Sequence, residues 1–290
     1  MGTAANAYSV LAIATVAALS SKERQGRSLA LYVTGAAVAH VVGVPLTRVI
    51  LAAVDWRTIF WFLDAIMVLS LVYFHFCLPE SEGESAELNL ARELKLFRDG
   101  RVFSVIAYML IICVGYGSFL NYIVPYLVIL FPSFEPSMSI ILVMVGLAGF
   151  VGNLIGGHVG DMIGSKRAML LGAAVQVALM VFGLVFQPFK WPTLVFVILS
   201  IMISWFTALQ VYTRIAEVTN NSSFMTSIIR SMHMLGTAIG ASLAAGVISF
   251  SGIQNVVYIT AATSLICLLI EWKAPVENPS GKSSSVSKRG

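Results

Sequence analysis

Charged residues are scarce in this chain: Asp, Glu, Lys and Arg together fill 11% of its 290 positions, against about 25% in soluble domains. That shortage excludes a soluble fold, because 58% of the residues are hydrophobic and a globular surface of this size cannot hide them all. Cysteine is sparse as well. Cys77, Cys113 and Cys267 stand far apart inside apolar runs, so there is neither a disulfide framework nor a thiolate metal pattern, and the three read as small packed hydrophobes. Extended polar/apolar alternation is lacking, which excludes a transmembrane barrel. No paired acids and no histidine cluster stand at catalytic spacing, so an intramembrane enzyme has little support. His158 and Asp161 share a helical face but lack a third ligand. No metal and no cofactor are expected.

What the chain does have is long apolar runs, with a mean hydropathy of +0.88. A bilayer solvates such side chains and asks only that backbone polar groups be bonded internally, which helices achieve. About 20 apolar residues cross the hydrocarbon core. On that measure the sequence predicts an all-α membrane protein with about nine spans: 4–20, 28–51, 57–78, 103–131, 136–160, 168–187, 192–213, 224–250 and 254–272. The first is not a signal peptide, because it has no basic n-region and no small-residue cleavage site follows it.

The formal charge of +4 and the pI near 9.0 reflect topology rather than nucleic-acid binding. Lys and Arg collect in alternate links: 22–27, 92–101, 166–167, Arg214 and the tail beyond 272. Basic links face the cytoplasm, which predicts an external N-terminus and a cytoplasmic C-terminus. The one long polar link, opening at Leu78-Pro79-Glu80, suggests four parts: 1–78 a partial N-terminal bundle, 79–102 a cytoplasmic connector, 103–272 a six-helix bundle, and 273–290 a disordered cytoplasmic tail.

Between the fifth and sixth spans runs Gly156-Gly157-His158-Val159-Gly160-Asp161-Met162-Ile163-Gly164-Ser165-Lys166-Arg167. This resembles the signature loop of the major facilitator superfamily, with Met162 and Ser165 at two positions that are usually basic. Gly157 and Gly160 suit close helix approach, Gly164 a tight turn, and Lys166 with Arg167 an anionic leaflet. Asp161 closes a helix whose dipole disfavours it, and by the family's symmetry it should sit near Ser28 and Leu29. Glu23 to Arg27 resembles the link after the family's fourth helix. Gly35, Gly43 and Pro45, followed by Trp56-Arg57, resemble the fifth helix of efflux members, a pattern associated with antiporters, where the glycines and proline bend the helix and allow tight packing. Gly236 and Gly240 resemble the small-residue face of the eleventh.

The resemblance covers about residues 3–272. It implies a partial major-facilitator fold, three helices of an N-terminal bundle plus a complete six-helix bundle, with the first three helices of the family pattern lacking. The expectation is a fragment or mis-started gene model, or a nine-helix remnant. The function implied is a secondary transporter for proton-coupled efflux of drugs, sugars or metabolites by alternating access. Small-molecule substrate, protons and the lipid bilayer are the partners implied, in a monomer of a bacterial inner membrane, with no nucleic acid. The alternative is a transport-incompetent protein that only inserts or associates with partners.

The family's cavity-lining helices correspond here to the first, fourth and seventh spans. They carry Asn6 and Tyr8; Tyr116, Asn121 and Tyr122; Trp205, Gln210 and Tyr212. Asn121 and Gln210 are costly against lipid and so face protein or water, either in a cavity or in an interhelical bond. Tyr8 and Tyr212 are alternatively interfacial belt residues. Four ionisable groups in spans are coupling candidates. Asp64 is either a proton carrier or a partner of Arg57, Arg48 or His40. His40 either titrates or packs, and Arg230 and His233 share one face, where the arginine either meets an anionic substrate or snorkels.

Overall fold

The computed structural model describes residues 35, 38–51, 53–77, 93, 95–219 and 222–273. Among these there is no strand. The helices are α1 (Val44–Ile50), α2 (Trp56–Cys77), α3 (Gly100–Leu120), α4 (Ile123–Leu130), α5 (Met138–Ile163), α6 (Ser165–Phe186), α7 (Lys190–Val218), α8 (Ser223–Ser251) and α9 (Val256–Lys273). Among the described residues, seven helical segments are long and apolar enough to cross a membrane. The expected first span lies outside the described residues, and so do Asn6, Tyr8, Ser28 and Leu29.

The span expected at 103–131 is two helices. α3 ends at Leu120 and α4 begins at Ile123. Pro125 explains the break, since it has no N–H for the Asn121 carbonyl and its ring would clash there. A second proline shapes the segment before α1. Ala39–Gly43 is a π-helical turn running into Pro45, and Thr47 Oγ1 donates to the Gly43 carbonyl at 2.8 Å, both of which bend a helix. Among the described residues no heavy atom stands within 4 Å of a Cβ placed on Gly35 or Gly43.

In chain order the long helices fall into two sets of three, α3, α5 and α6, then α7, α8 and α9. The first helix of each packs on the second and third of the other: α3 on α8 and α9, α7 on α5 and α6. α3 and α7 also meet each other, and α6 meets α9. Three short links separate α3 from α7, with α3 continued by α4, so the two run in opposite directions. This is the pairing of inverted repeats about a two-fold axis in the membrane plane.

Lipid tails are as apolar as leucine, so little hydrophobic force drives helix against helix, and close van der Waals approach does the holding. Glycine stripes supply it. A Cβ on Gly240 would strike the Val114 carbonyl, one on Gly236 the Leu110 carbonyl, and one on Gly117 the backbone of Thr237. Between α5 and α7 the stripe is Gly152, Gly156 and Gly160, facing Met202, Phe206 and Gln210. Gly157 does not share in it. It stands about 100° around the helix from Gly156, and its Cβ would meet only Leu209 Cδ2, at 4.0 Å. α2 has no buried residue in its apolar window.

Candidate functional site

The cavity candidates divide. Tyr116, Trp205, Tyr212, Arg230 and His233 converge from α3, α7 and α8. The Trp205 indole N–H donates to the Tyr116 hydroxyl at 3.1 Å. Its ring lies against Gly149 of α5, where a Cβ would stand 3.0 Å from indole Cδ2. Tyr116 meets the His233 ring edge-on, with centroids 6.2 Å apart. The Tyr212 hydroxyl lies 3.4 Å from His233 Nδ1, and the Arg230 side chain hydrogen-bonds Tyr212. Trp205 is at the midpoint of α7. His233 is ten residues into the 29-residue α8, about 15 Å along its axis. Tyr212 stands in this cluster six residues before the end of α7, and Arg230 bonds it there.

Three other candidates lie elsewhere. Gln210 faces α5, where its Nε2 donates to the Gly156 carbonyl at 2.7 Å. It is the interhelical bond of the two readings, because it lies about 140° around α7 from Trp205. Asn121 bonds its own helix, Nδ2 to the Gly117 carbonyl at 2.7 Å, and caps the broken end of α3. Tyr122 crosses to α8 and donates to the Ala241 carbonyl at 3.3 Å. Asp64 is exposed on α2. The expected pairing with Arg57 is not seen, because the arginine is held two residues away by Asp55 at 3.7 Å and lies over the Trp56 ring. The His40 backbone belongs to the π-helical turn, and its side chain lies outside the described residues.

The loop at 156–167 is tighter than its length suggests, since Gly164 alone joins α5 to α6. Its φ of 84° and ψ of 150° fall where only glycine is at ease. We expect Gly164→Ala to cost about 1–3 kcal/mol, read as a lower melting temperature in detergent. Gly157→Ala, in the same loop, should stay within about 0.5 kcal/mol. Asp161 and His158 are exposed, and no group of metal-binding side chains occurs among the described residues.

A charge cluster beside this loop was not anticipated from the sequence pattern. Ser165, standing where the resembled motif is usually basic, is buried, and its Oγ donates to Glu217. Arg214, 4% exposed, pairs with Glu217 at 3.3 Å. Glu271 near the end of α9 is 1% exposed, and Lys166 and Arg214 both act on it electrostatically. Lys166 therefore serves an interior carboxylate, while Arg167 is the exposed cation. A glutamate at the end of an apolar run was the available signal. The cluster ties the α5–α6 turn to the C-terminal ends of α7 and α9.

On the other side of the α7–α8 link, Ser222 donates to Glu93 at 2.6 Å and caps α8 through Met225 N. Asp99 caps α3, and the Arg101 guanidinium beside it holds its carboxyl below the usual carboxylate range.

The family model described as Major Facilitator Superfamily matches residues 1–217 and again 135–289. The protein named "Uncharacterized MFS-type transporter YbcL" of Bacillus subtilis (strain 168) is 25% identical over 271 residues, covering 93% of this chain and 69% of that protein. A "Probable sugar efflux transporter" of Helicobacter pylori (strain J99) is 26% identical over 256 residues, 86% of this chain and 64% of the relative. The "Putative transporter AraJ" of Escherichia coli (strain K12) is 24% identical over 127 residues, 44% of this chain and 32% of its own length. The chain thus spans about two thirds of the length of the first two relatives.

Proposed function

The chain belongs to the major facilitator superfamily, and from that premise we propose that it serves as a secondary transporter moving a small molecule out of the cell by proton-coupled alternating access. It is a multi-pass membrane protein. The observation that carries the proposal is the Tyr116–Trp205–Tyr212–His233 cluster. It joins the first helices of both inverted repeats, α3 and α7, to α8, a wall of the kind around which a rocking bundle holds its substrate. The charge cluster at Arg214, Glu217 and Glu271 is the cytoplasmic clamp of this bundle. In this reading the C-terminus is cytoplasmic and the N-terminus external, in a bacterial inner membrane. Efflux is supported by the printed name of the Helicobacter pylori relative; for this chain it is a proposal.

The test is flux in proteoliposomes holding the chain, loaded with labelled sugars and a cationic dye, with and without an imposed pH gradient. We expect gradient-dependent flux that falls at least about tenfold in Trp205→Ala, since the indole joins α3, α5 and α7. Equal flux with and without the gradient would refute coupling for those solutes. The other reading, a protein that only inserts or associates, draws on the exposed α8 residues Met234, Leu235, Ile239 and Leu243, and it predicts no flux at all.

A further inference from the structure

We infer that Glu271 is a proton-binding carboxyl, which takes one proton when Lys166 or Arg214 withdraws from it and gives that proton up when the cation returns. The inference rests on the transport reading for its biological meaning, the coupling of protons to motion, but not for its chemistry.

Burial is the first observation. Glu271 is 1% exposed on α9, and among the described residues its Oε2 has no hydrogen-bond partner. Gln176, Ser200 and Ser264 also bury polar atoms that lack one, but amides and hydroxyls of that kind do not titrate near neutral pH. Glu271 does. An ionised carboxylate offers about four lone-pair positions, and a buried charge with positions left empty is costly.

The groups that face it come from several helices. α6 brings Lys166 and α7 brings Arg214. α3 brings Tyr108, and α9 itself Cys267, two side chains that are neutral near pH 7 in their ordinary chemistry. α8 also touches α9, but its Arg230 and His233 lie with Tyr212. Burial works against the carboxylate and the two cations work for it, so the position of the cations decides which form wins. Lys166 stands two residues beyond the Gly164 joint, and Arg214 four residues before the end of α7. A shift of α6 or α7 against α9 therefore changes the balance. What else either cation bonds does not enter, because its distance from Glu271 sets the effect. When a cation moves off, the carboxyl takes a proton from water at the membrane face where α9 ends. The new O–H bond breaks when the cation returns; no electron changes hands and no other reactant takes part. A proton needs no cavity, so close packing around Glu271 is no obstacle.

The test is pH-difference infrared spectroscopy of the full chain in lipid nanodiscs, which reads the C=O stretch of protonated carboxyls. The unaltered chain should show a titrating band that Glu271→Gln lacks and Glu217→Gln keeps. Lys166→Gln should raise the ratio of protonated to ionised Glu271 at a fixed pH by at least about tenfold, the lower bound for losing a nearby opposite charge. Arg214→Gln should do the same. An identical titration in the unaltered chain and Glu271→Gln would overturn the inference, and so would a ratio that neither cation variant moves. Should Glu271→Gln not fold, Glu271→Asp serves in its place: it keeps a carboxyl but moves it, so the band should shift, and an unshifted band would overturn the assignment. Flux is read separately. A Glu271 titration in a chain without gradient-driven flux would refute transport and leave this site, whereas gradient-driven flux undiminished in Glu271→Gln would overturn its part in coupling and leave transport.

Discussion

Gly240→Val should disrupt the α3–α8 contact and cost at least about 3 kcal/mol, the upper range for forced overpacking. A Cβ at Gly240 would overlap the Val114 carbonyl and crowd the Ser118 amide. Both are backbone, so no rotamer change relieves the clash, and the helices must separate. Since van der Waals approach is the main attraction between helices in lipid, the loss extends along the Gly236 and Gly117 contacts as well. The control lies two turns further along the same helix. Gly246 has nothing within 4 Å, so Gly246→Ala should be neutral or stabilising by up to ~1 kcal/mol through helix propensity. Thermal melts followed by size-exclusion in detergent separate the two. Equal melting temperatures for both variants would sink the close-packing account.

The second large effect is expected at Arg214. Its side chain is 4% exposed, and it acts on two carboxylates, Glu217 and Glu271. Arg214→Gln takes from buried Glu271 one of the two cations that act on it, Lys166 being the other, and removes the pairing with Glu217; leaving buried polar groups short of a partner costs about 1–3 kcal/mol. Glu217→Gln should cost less than about 1 kcal/mol, because that side chain is 42% exposed and water screens its pairing. Adding Glu271→Gln to Arg214→Gln should recover much of the loss by removing the stranded charge. A double-mutant cycle measures that coupling. If Arg214→Gln melted within a degree or two of the parent, the clamp would be no more than a surface pair.

Much of this architecture was legible in advance. Apolar runs of membrane length fixed where α2 and α5 to α9 lie, because in lipid every span must satisfy its own backbone. The Gly236-x-x-x-Gly240 spacing announced a close contact for the same reason that it forms one. Pro125 carried the break in the fourth span, but a run of apolar residues on both sides masked it. Gly157 was misjudged because four glycines crowd one loop, and spacing alone does not say which face meets a neighbour. Of the readings open for Asp64, a proton carrier or a partner of Arg57, Arg48 or His40, the structure bears on the Arg57 pairing alone, since Asp55 reaches that arginine over two residues in the turn ahead of α2.

The site divides along the same line. Tyr116, Trp205, Tyr212, Arg230 and His233 were each conspicuous as polar or aromatic groups in apolar helices. That the five meet, while Gln210 and Asn121 do not join them, depends on helix rotation. Glu217 and Glu271 were missed because a carboxylate near a span end reads as solvated until a neighbouring helix buries it.

Scarcity of charge settled by itself that this chain lives in a bilayer, and link polarity argued for its orientation, because lipid judges each segment alone by its transfer cost. Only the tertiary structure decided which sparse charges are buried together and which rings share one wall. Those outcomes depend on the rotation and approach of helices far apart in sequence, and in lipid that is set by close packing rather than by hydropathy.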